Sequence, residues 1–483
     1  MARLFSSGFE LNSTTDGVEW SISGSPSIST NPVRTGTYSG LIDQTTADTR
    51  RNFNYQFHAT GVTGATYYRV YFRFARYSDR NTNSICAVVS TGSDLINIYP
   101  QIDGSLVVHD AYNNANIGSA SPVLALDTWY RLEILYDNTT ASAAVIQARI
   151  DGASFVNTTV DHTGGNSPKL FEVGTFASPH DVKVYGDDVA VNDSSGSFQN
   201  SWPGSGRIVH LRPNTRGEND DWTTSPSVEN FNNVDEIIPD DVTTYNSSST
   251  LGQIDDFNIE SSSIASIDTI NLVSIGVRFS GAAGSANSSF VLRSRTIPLS
   301  TVEESSAITP TSTTWLTNAV SVPRNYALTL YDLPGSSTTA WDPDTIANAQ
   351  IGYRLSTAGT NAAQISDIWM LVDYTVTLEA TTTSTSTSSS TSTSTTSTSS
   401  STSSSTSITT STSTSTTSTS SSTSSSTSSS TTTSTSTSTT STSSSTSSST
   451  STSTSTSSST TSTSSSTSTT TTAPYQFEVD FPV

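Results

Sequence analysis

The periodic segments in the first 379 positions of this 483-residue chain alternate apolar and polar residues with a period of two. Tyr68, Val70, Phe72 and Phe74 take one side of a run whose other side is Arg69, Tyr71, Arg73 and Ala75. Successive side chains of an extended strand point to opposite faces, so this run predicts a strand with one apolar face. Tyr130, Leu132, Ile134 and Tyr136 repeat the pattern, as do Val273, Ile275, Val277 and Phe279 against Ser274, Gly276 and Arg278. Asp103-Gly104 and Asp151-Gly152 lie between such runs, where residues that tolerate a left-handed backbone close hairpins. No segment carries a sustained helical repeat. The pattern predicts an all-β chain with two β-sandwich domains, at residues 1–200 and 201–379, divided in the Gly- and Ser-rich stretch from Asp193 to Gly206.

The alternation stops at a tract that is all Ser and Thr from Thr381 to Thr472 except for Ile408. With nothing to bury, no charge and no turn residues, residues 380–472 predict a low-complexity stalk. As a flexible coil it spans roughly 50 Å, and fully extended about 300 Å. Beyond it, in residues 473–483, Tyr475, Phe477, Val479 and Phe481 alternate with Gln476, Glu478 and Asp480. A lone amphipathic strand is not stable in water, so this end is expected to dock on the edge of another sheet.

Composition narrows the partners. There are 41 acidic against 20 basic residues, a net charge of −21, which disfavours phosphate backbones and anionic lipid and suits divalent cations. Cys86, in the apolar run Ile85 to Val89, is the single cysteine; no intrachain disulfide forms, and the thiol is expected in the core. The opening residues lack the apolar run of a secretory signal, and no apolar stretch reaches membrane-spanning length. A surface-type composition without such a signal is expected of a phage protein released by lysis.

Gly8-Phe9-Glu10, Trp20, Arg34 to Leu41, Thr128 to Leu132, Ile150-Asp151-Gly152 and Tyr185 to Val191 follow one another in an order that resembles the concanavalin A-like (laminin G-like) jelly roll and related carbohydrate-binding modules. The resemblance covers the whole first domain. It implies two curved antiparallel sheets, first and last strands side by side, and binding to glycans or proteins without chemistry. It also implies a structural calcium, with Glu10 and Asp187 or Asp188 standing where its ligands would be; calcium takes six to eight oxygens, so backbone carbonyls would complete the shell. In the second domain, Pro239 to Tyr245, Ile275 to Arg278, Trp341 to Thr345, Ile351-Gly352-Tyr353 and Trp369 to Tyr374 resemble modules of phage and prophage virion structural proteins.

Glycan recognition needs aromatic rings for stacking and planar polar groups for hydroxyls. Arg69, Tyr71 and Arg73 offer both on one strand, with Tyr99 or Trp129 expected as a neighbour. An outward Tyr between two Arg residues is also ordinary strand surface. The acidic residues Asp235, Glu236, Asp240 and Asp241 read first as a solvated loop. The closely spaced Glu-x-Asp-x-x-Glu motif of concanavalin A-like glycosidases, the His-Glu-x-x-His metal motif and the Gly-x-Ser-x-Gly elbow are all missing, so no enzymatic activity is expected. The chain therefore reads as a non-enzymatic phage virion appendage that adheres to host-surface glycan or to neighbouring virion subunits, itself included as a homo-oligomer. A cell-surface or secreted carbohydrate-binding adhesin with a glycosylated stalk stays open as the alternative.

Overall fold

A computed structural model describes residues 3–45, 50–165, 167–175, 181–226, 229–282, 284, 286–296, 301–317, 328–330 and 340–377. The Ser/Thr tract from position 380 and the expected docking strand with Tyr475, Phe477, Val479 and Phe481 lie outside the described residues. What is described is nearly all β, arranged as four antiparallel sheets in two sandwiches.

The first sandwich pairs an eight-stranded sheet with a seven-stranded one. In the larger sheet the strands run in the order Ala153–Val160, Ala144–Ile150, Trp129–Asp137, Ala65–Arg76, Val182–Asp193, Ser39–Gln44 and Ser27–Ser29. Arg3–Ser7 pairs with Val182–Asp193, so the first and last strands of the sandwich are neighbours as expected. The smaller sheet runs Ala115–Ile117, Leu106–Asp110, Asp94–Pro100, Cys86–Val89, Leu170–Thr175, Arg51–Gln56 and Ser21–Gly24. Tyr68, Val70, Phe72 and Phe74 face inward with Leu132, Ile134, Val88 and Phe171, and Cys86 is among them. Phe5 stacks on Tyr55 at 3.7 Å and Phe9 on Trp20 at 5.1 Å, closing the core where the chain enters. Asp151 (φ 50°) and Gly152 (φ 88°) are both left-handed and make a two-residue hairpin link of the kind that matches strand twist.

The second sandwich has a seven-stranded sheet centred on Ala363–Thr375 and Thr269–Ser280, facing a five-stranded one ordered Pro213–Asp220, Ile254–Ile259, Ala349–Thr357, Ser289–Thr296 and Thr301–Glu304. Pro213–Asp220 reads as a polar connection in the sequence and proves to be an edge strand. Most of its side chains are not buried, so there is no alternation to reveal it, and charge on an edge discourages pairing with other chains.

Both sandwiches belong to one compact unit. Leu11 and Val18 of the first pack with Ile208, Trp369 and Leu371 of the second. Asp373, fully buried, accepts from Arg3 Nη1 at 2.8 Å and Arg69 Nη2 at 3.0 Å. Asp188 accepts the Ile208 N–H at 2.6 Å, and Arg212 donates to the Glu10 carbonyl at 2.6 Å. The connecting segment is also fixed: Trp202 lies edge-on to Tyr67 at 5.5 Å and under the Arg149 guanidinium at 3.7 Å.

Candidate functional site

The four residues singled out for sugar contact do not form one site. Arg69 is fully buried, donating to the Asp188 carbonyl at 3.0 Å and to Asp373. Tyr71 is 6 % exposed and carries the Arg34 guanidinium on its ring at 3.2 Å. Arg73 pairs with Asp127 at 2.9 Å and sits opposite Trp129 in the next strand. This outward face of the large sheet faces the second sandwich at Arg69, which is why its Arg-Tyr-Arg pattern misleads. Tyr99 belongs to the other sheet, half-buried, its ring stacked on His109 at 4.6 Å.

Around Tyr99 the smaller sheet builds something the sequence does not display. Directly paired residues share a face, and one line of pairs crosses all seven strands: Asn116, His109, Asn97, Ala87, Glu172, Asn54 and Ser21. Their neighbours along the strands, including Val108, Ile98, Cys86, Phe171 and Phe53, face the core, so this row lies on the outer side of the sheet, where Asn97, Ala87 and Glu172 are nonetheless at most 5 % exposed. With strands about 4.8 Å apart it extends about 29 Å. Six of its seven side chains are polar, and Ala87 at its centre is fully buried.

The row is wired rather than merely polar. Arg50 Nη2 donates to both Glu172 oxygens at 3.1 Å, and Asn52 Nδ2 donates to Oε2 at 3.0 Å. Burial nevertheless pushes the Glu172 carboxyl up to about 7, with Arg50 pulling against it. Asn97 donates to Asp94 at 3.1 Å and His109 Nδ1 meets Asn116 Oδ1 at 2.9 Å. The Oδ1 atoms of Asn52 and Asn97 are buried without a hydrogen-bond partner, a state that native interiors rarely leave unsatisfied. Asn52-Phe53-Asn54-Tyr55-Gln56 does show amides alternating with aromatics, the one local hint. The register that lines Asn54 up with His109, four strands away, has no trace in a single sequence.

The three carboxylates expected at calcium all act on one loop. Glu10 accepts the N–H groups of Thr37 and Tyr38 at 3.0 and 3.2 Å. Asp187 Oδ2 accepts those of Arg34 and Thr35 at 2.9 and 3.3 Å. Asp188 is paired with Arg34 and Thr35 Oγ1 on one oxygen and with Ile208 N on the other. Burial raises the carboxyl of Glu10 to about 8 and that of Asp187 well above the usual range, with Asp188 adding repulsion. Among the described residues no three His, Cys, Asp or Glu side chains converge as a metal cluster. Asp188 is committed to Arg34 and the junction, whereas the Glu10 and Asp187 carboxyls accept from backbone N–H groups.

The acidic loop is no freely solvated run: Asp241 makes a two-pronged pair with Arg278 at 2.7 and 2.8 Å, and Glu236 and Asp240 share the Thr244 hydroxyl. Among the described residues no helix is long and apolar enough to cross a membrane.

No protein-family model and no curated protein sequence matches the chain. Solved structures similar in fold include the cellulose-induced protein Cip1, with 18% identity, TM-score 0.33, 42% of this chain and 99% of that one covered. The endo-β-1,4-glucuronan lyase of the fungus Trichoderma reesei matches with 18% identity, TM-score 0.31 and coverages of 39% and 95%. A carbohydrate esterase of the Shiga toxin-encoding bacteriophage phi24B matches with 15% identity, TM-score 0.31 and coverages of 40% and 100%.

Proposed function

We propose that this chain is a non-enzymatic glycan-binding appendage of a phage particle, gripping host-surface polysaccharide along the outer face of the seven-stranded sheet. The observation that carries the reading is the polar row from Ser21 to Asn116, with Tyr99 beside it. It combines amides, a carboxyl, an imidazole and a stacked ring along a line long enough for several sugar units, and leaves buried amide oxygens to be satisfied. The net charge of −21 favours neutral glycans over polyanions. Weak contacts of this kind become effective when many copies are displayed.

The test is a glycan array with the intact chain and single variants. Asn97→Ala and His109→Ala are expected to weaken binding of a defined sugar class at least about tenfold, equivalent to roughly 1.4 kcal/mol. Arg73→Ala, in the other sheet, should bind as the parent does. Equal loss in all three, or no binding by a folded chain, would sink the assignment.

One observation favours a second reading, a carbohydrate-cleaving enzyme: burial lifts the Glu172 carboxyl to about 7, and an acid poised near neutrality serves acid–base catalysis. New reducing ends or unsaturated products appearing from a bound polysaccharide, and lost in Glu172→Gln, would replace the adhesin by that enzyme.

A further inference from the structure

Where the sandwiches meet, a cavity of about 620 Å³ opens between Glu10 and Tyr38 on one side and His210, Arg212, Asp235 and Glu260 on the other. His210 is 5 % exposed. One face of its ring stacks on Trp369 at 5.7 Å, and neither ring nitrogen has a hydrogen-bond partner. An imidazole that is buried and unpartnered at the wall of a cavity calls for a group inside that cavity to bond with.

The surroundings specify the sign of that group. Three carboxylates, of Glu10, Asp235 and Glu260, line the described walls, and Arg212 is the one cation among them. Its guanidinium is already engaged by the carbonyls of Glu10 at 2.6 Å and Glu236 at 3.1 Å. Nearby, Asp367 is fully buried and neither of its oxygens is satisfied, the adjacent Ile368 N–H being turned to the Val234 carbonyl at 3.2 Å. Burial raises the carboxyls of Glu10 and Glu236 to about 8 and about 7, the response of acids short of counter-charge. Once these carboxyls ionise, the cavity carries negative charge that Arg212, already engaged, does not offset. Among the described residues no three His, Cys, Asp or Glu side chains converge as a metal site, and the volume far exceeds that of a bare ion. An occupant that both fills the space and donates hydrogen bonds is an organic cation.

We propose that this junction cavity binds a small organic ammonium compound, its charged nitrogen held by Asp235 and Glu260 and a further donor bonded to His210. The site is separate from the polar row and stands or falls independently of it.

Calorimetry and thermal melting of the full chain, at a pH where the amines are charged, test this. The probes are ethanolamine, glucosamine and spermidine, with ethylene glycol and glucose as neutral counterparts and calcium chloride as the metal arm. At least one amine should bind with one-to-one stoichiometry and raise the melting temperature, while its neutral counterpart does neither. Asp235→Asn should weaken that binding at least tenfold. His210→Phe, which keeps a ring against Trp369, should weaken it as well. Silence from all three amines overturns the proposal, whether or not calcium stabilises the chain, as does binding of glucose equal to glucosamine. If His210→Phe fails to fold, Asp235→Asn decides: amine binding unchanged in that variant also overturns it.

Discussion

Burial holds several carboxyls above their ordinary range, Glu10 at about 8 and Glu19, Glu172 and Glu236 at about 7. The same groups ionise near 4.5 in the unfolded chain, so between pH 4.5 and 8 the folded state holds more protons. Their contribution is complete below pH 4.5 and is lost as pH rises through 7 to 8. Asp373 lies the other way, its carboxyl held down by Arg69 and Arg3 against the opposing effect of burial, and it stays ionised throughout that window. The melting temperature is therefore expected to fall between pH 5 and pH 8.5, by about 2–4 °C for each kcal/mol lost; a flat or rising profile would contradict the burial-driven shifts. Calcium bound by Glu10 and Asp187, the cofactor we propose for the loop from Arg34 to Tyr38, would replace the protons these groups retain. At about 100-fold its dissociation constant it would add roughly 2.7 kcal/mol, recovering about 5–10 °C at pH 8.5, and a chelator should reverse the gain. Indifference to calcium at pH 8.5 would remove both residues from metal binding.

At the scale of elements, periodicity finds strands and says nothing of what covers their outer faces. Tyr68, Val70, Phe72 and Phe74 are placed correctly in the core by alternation alone, and Asp151-Gly152 turns where its left-handed preference says it must. The partners of Arg69, Tyr71 and Arg73 are remote: Asp373 lies 304 residues beyond Arg69. A guanidinium outside a strand looks the same in sequence whether it awaits a sugar or a buried carboxylate. The polar row is hidden for a related reason, because each strand contributes one unremarkable Ser, Asn, Ala, Glu or His and only the pairing aligns them. Gly276 is a case where pairing explains a residue. It sits directly across from Trp369, and a Cβ there would lie 2.3 Å from the indole. Since φ at Gly276 is not positive, backbone strain plays no part in its choice. Gly276→Ala is expected to displace the indole from its place beside Leu11 and Val18 and to cost about 1–3 kcal/mol. Denaturant unfolding with tryptophan fluorescence would read both effects; a parent-like midpoint and spectrum would show that the ring has room to move.

For the whole molecule, the question is whether the sandwiches can be separated, as the Gly- and Ser-rich stretch between them suggests. Arg3 and Arg69 of the first and Asp373 of the second are at most 2 % exposed, and both guanidinium groups meet the same carboxylate oxygen. Removing one member of a buried ionic group leaves the others desolvated without compensation, a loss of about 3–5 kcal/mol. Cutting the chain after residue 200 would do this and also expose Leu11 and Val18. We therefore expect the parent chain to unfold in urea as one transition reported alike by both sandwiches. Asp373→Ala should lower its stability by about 3–5 kcal/mol or split the curve in two, and a fragment of residues 1–200 should unfold at lower urea than the same residues within the chain. The sheet face for which we propose glycan binding is on the far side of the first core from this junction, so a folded fraction of Asp373→Ala should bind as the parent does. If the variant and the fragment match the parent in urea, the junction is a loose contact, and the ammonium cavity it encloses would lose its rigid walls with it.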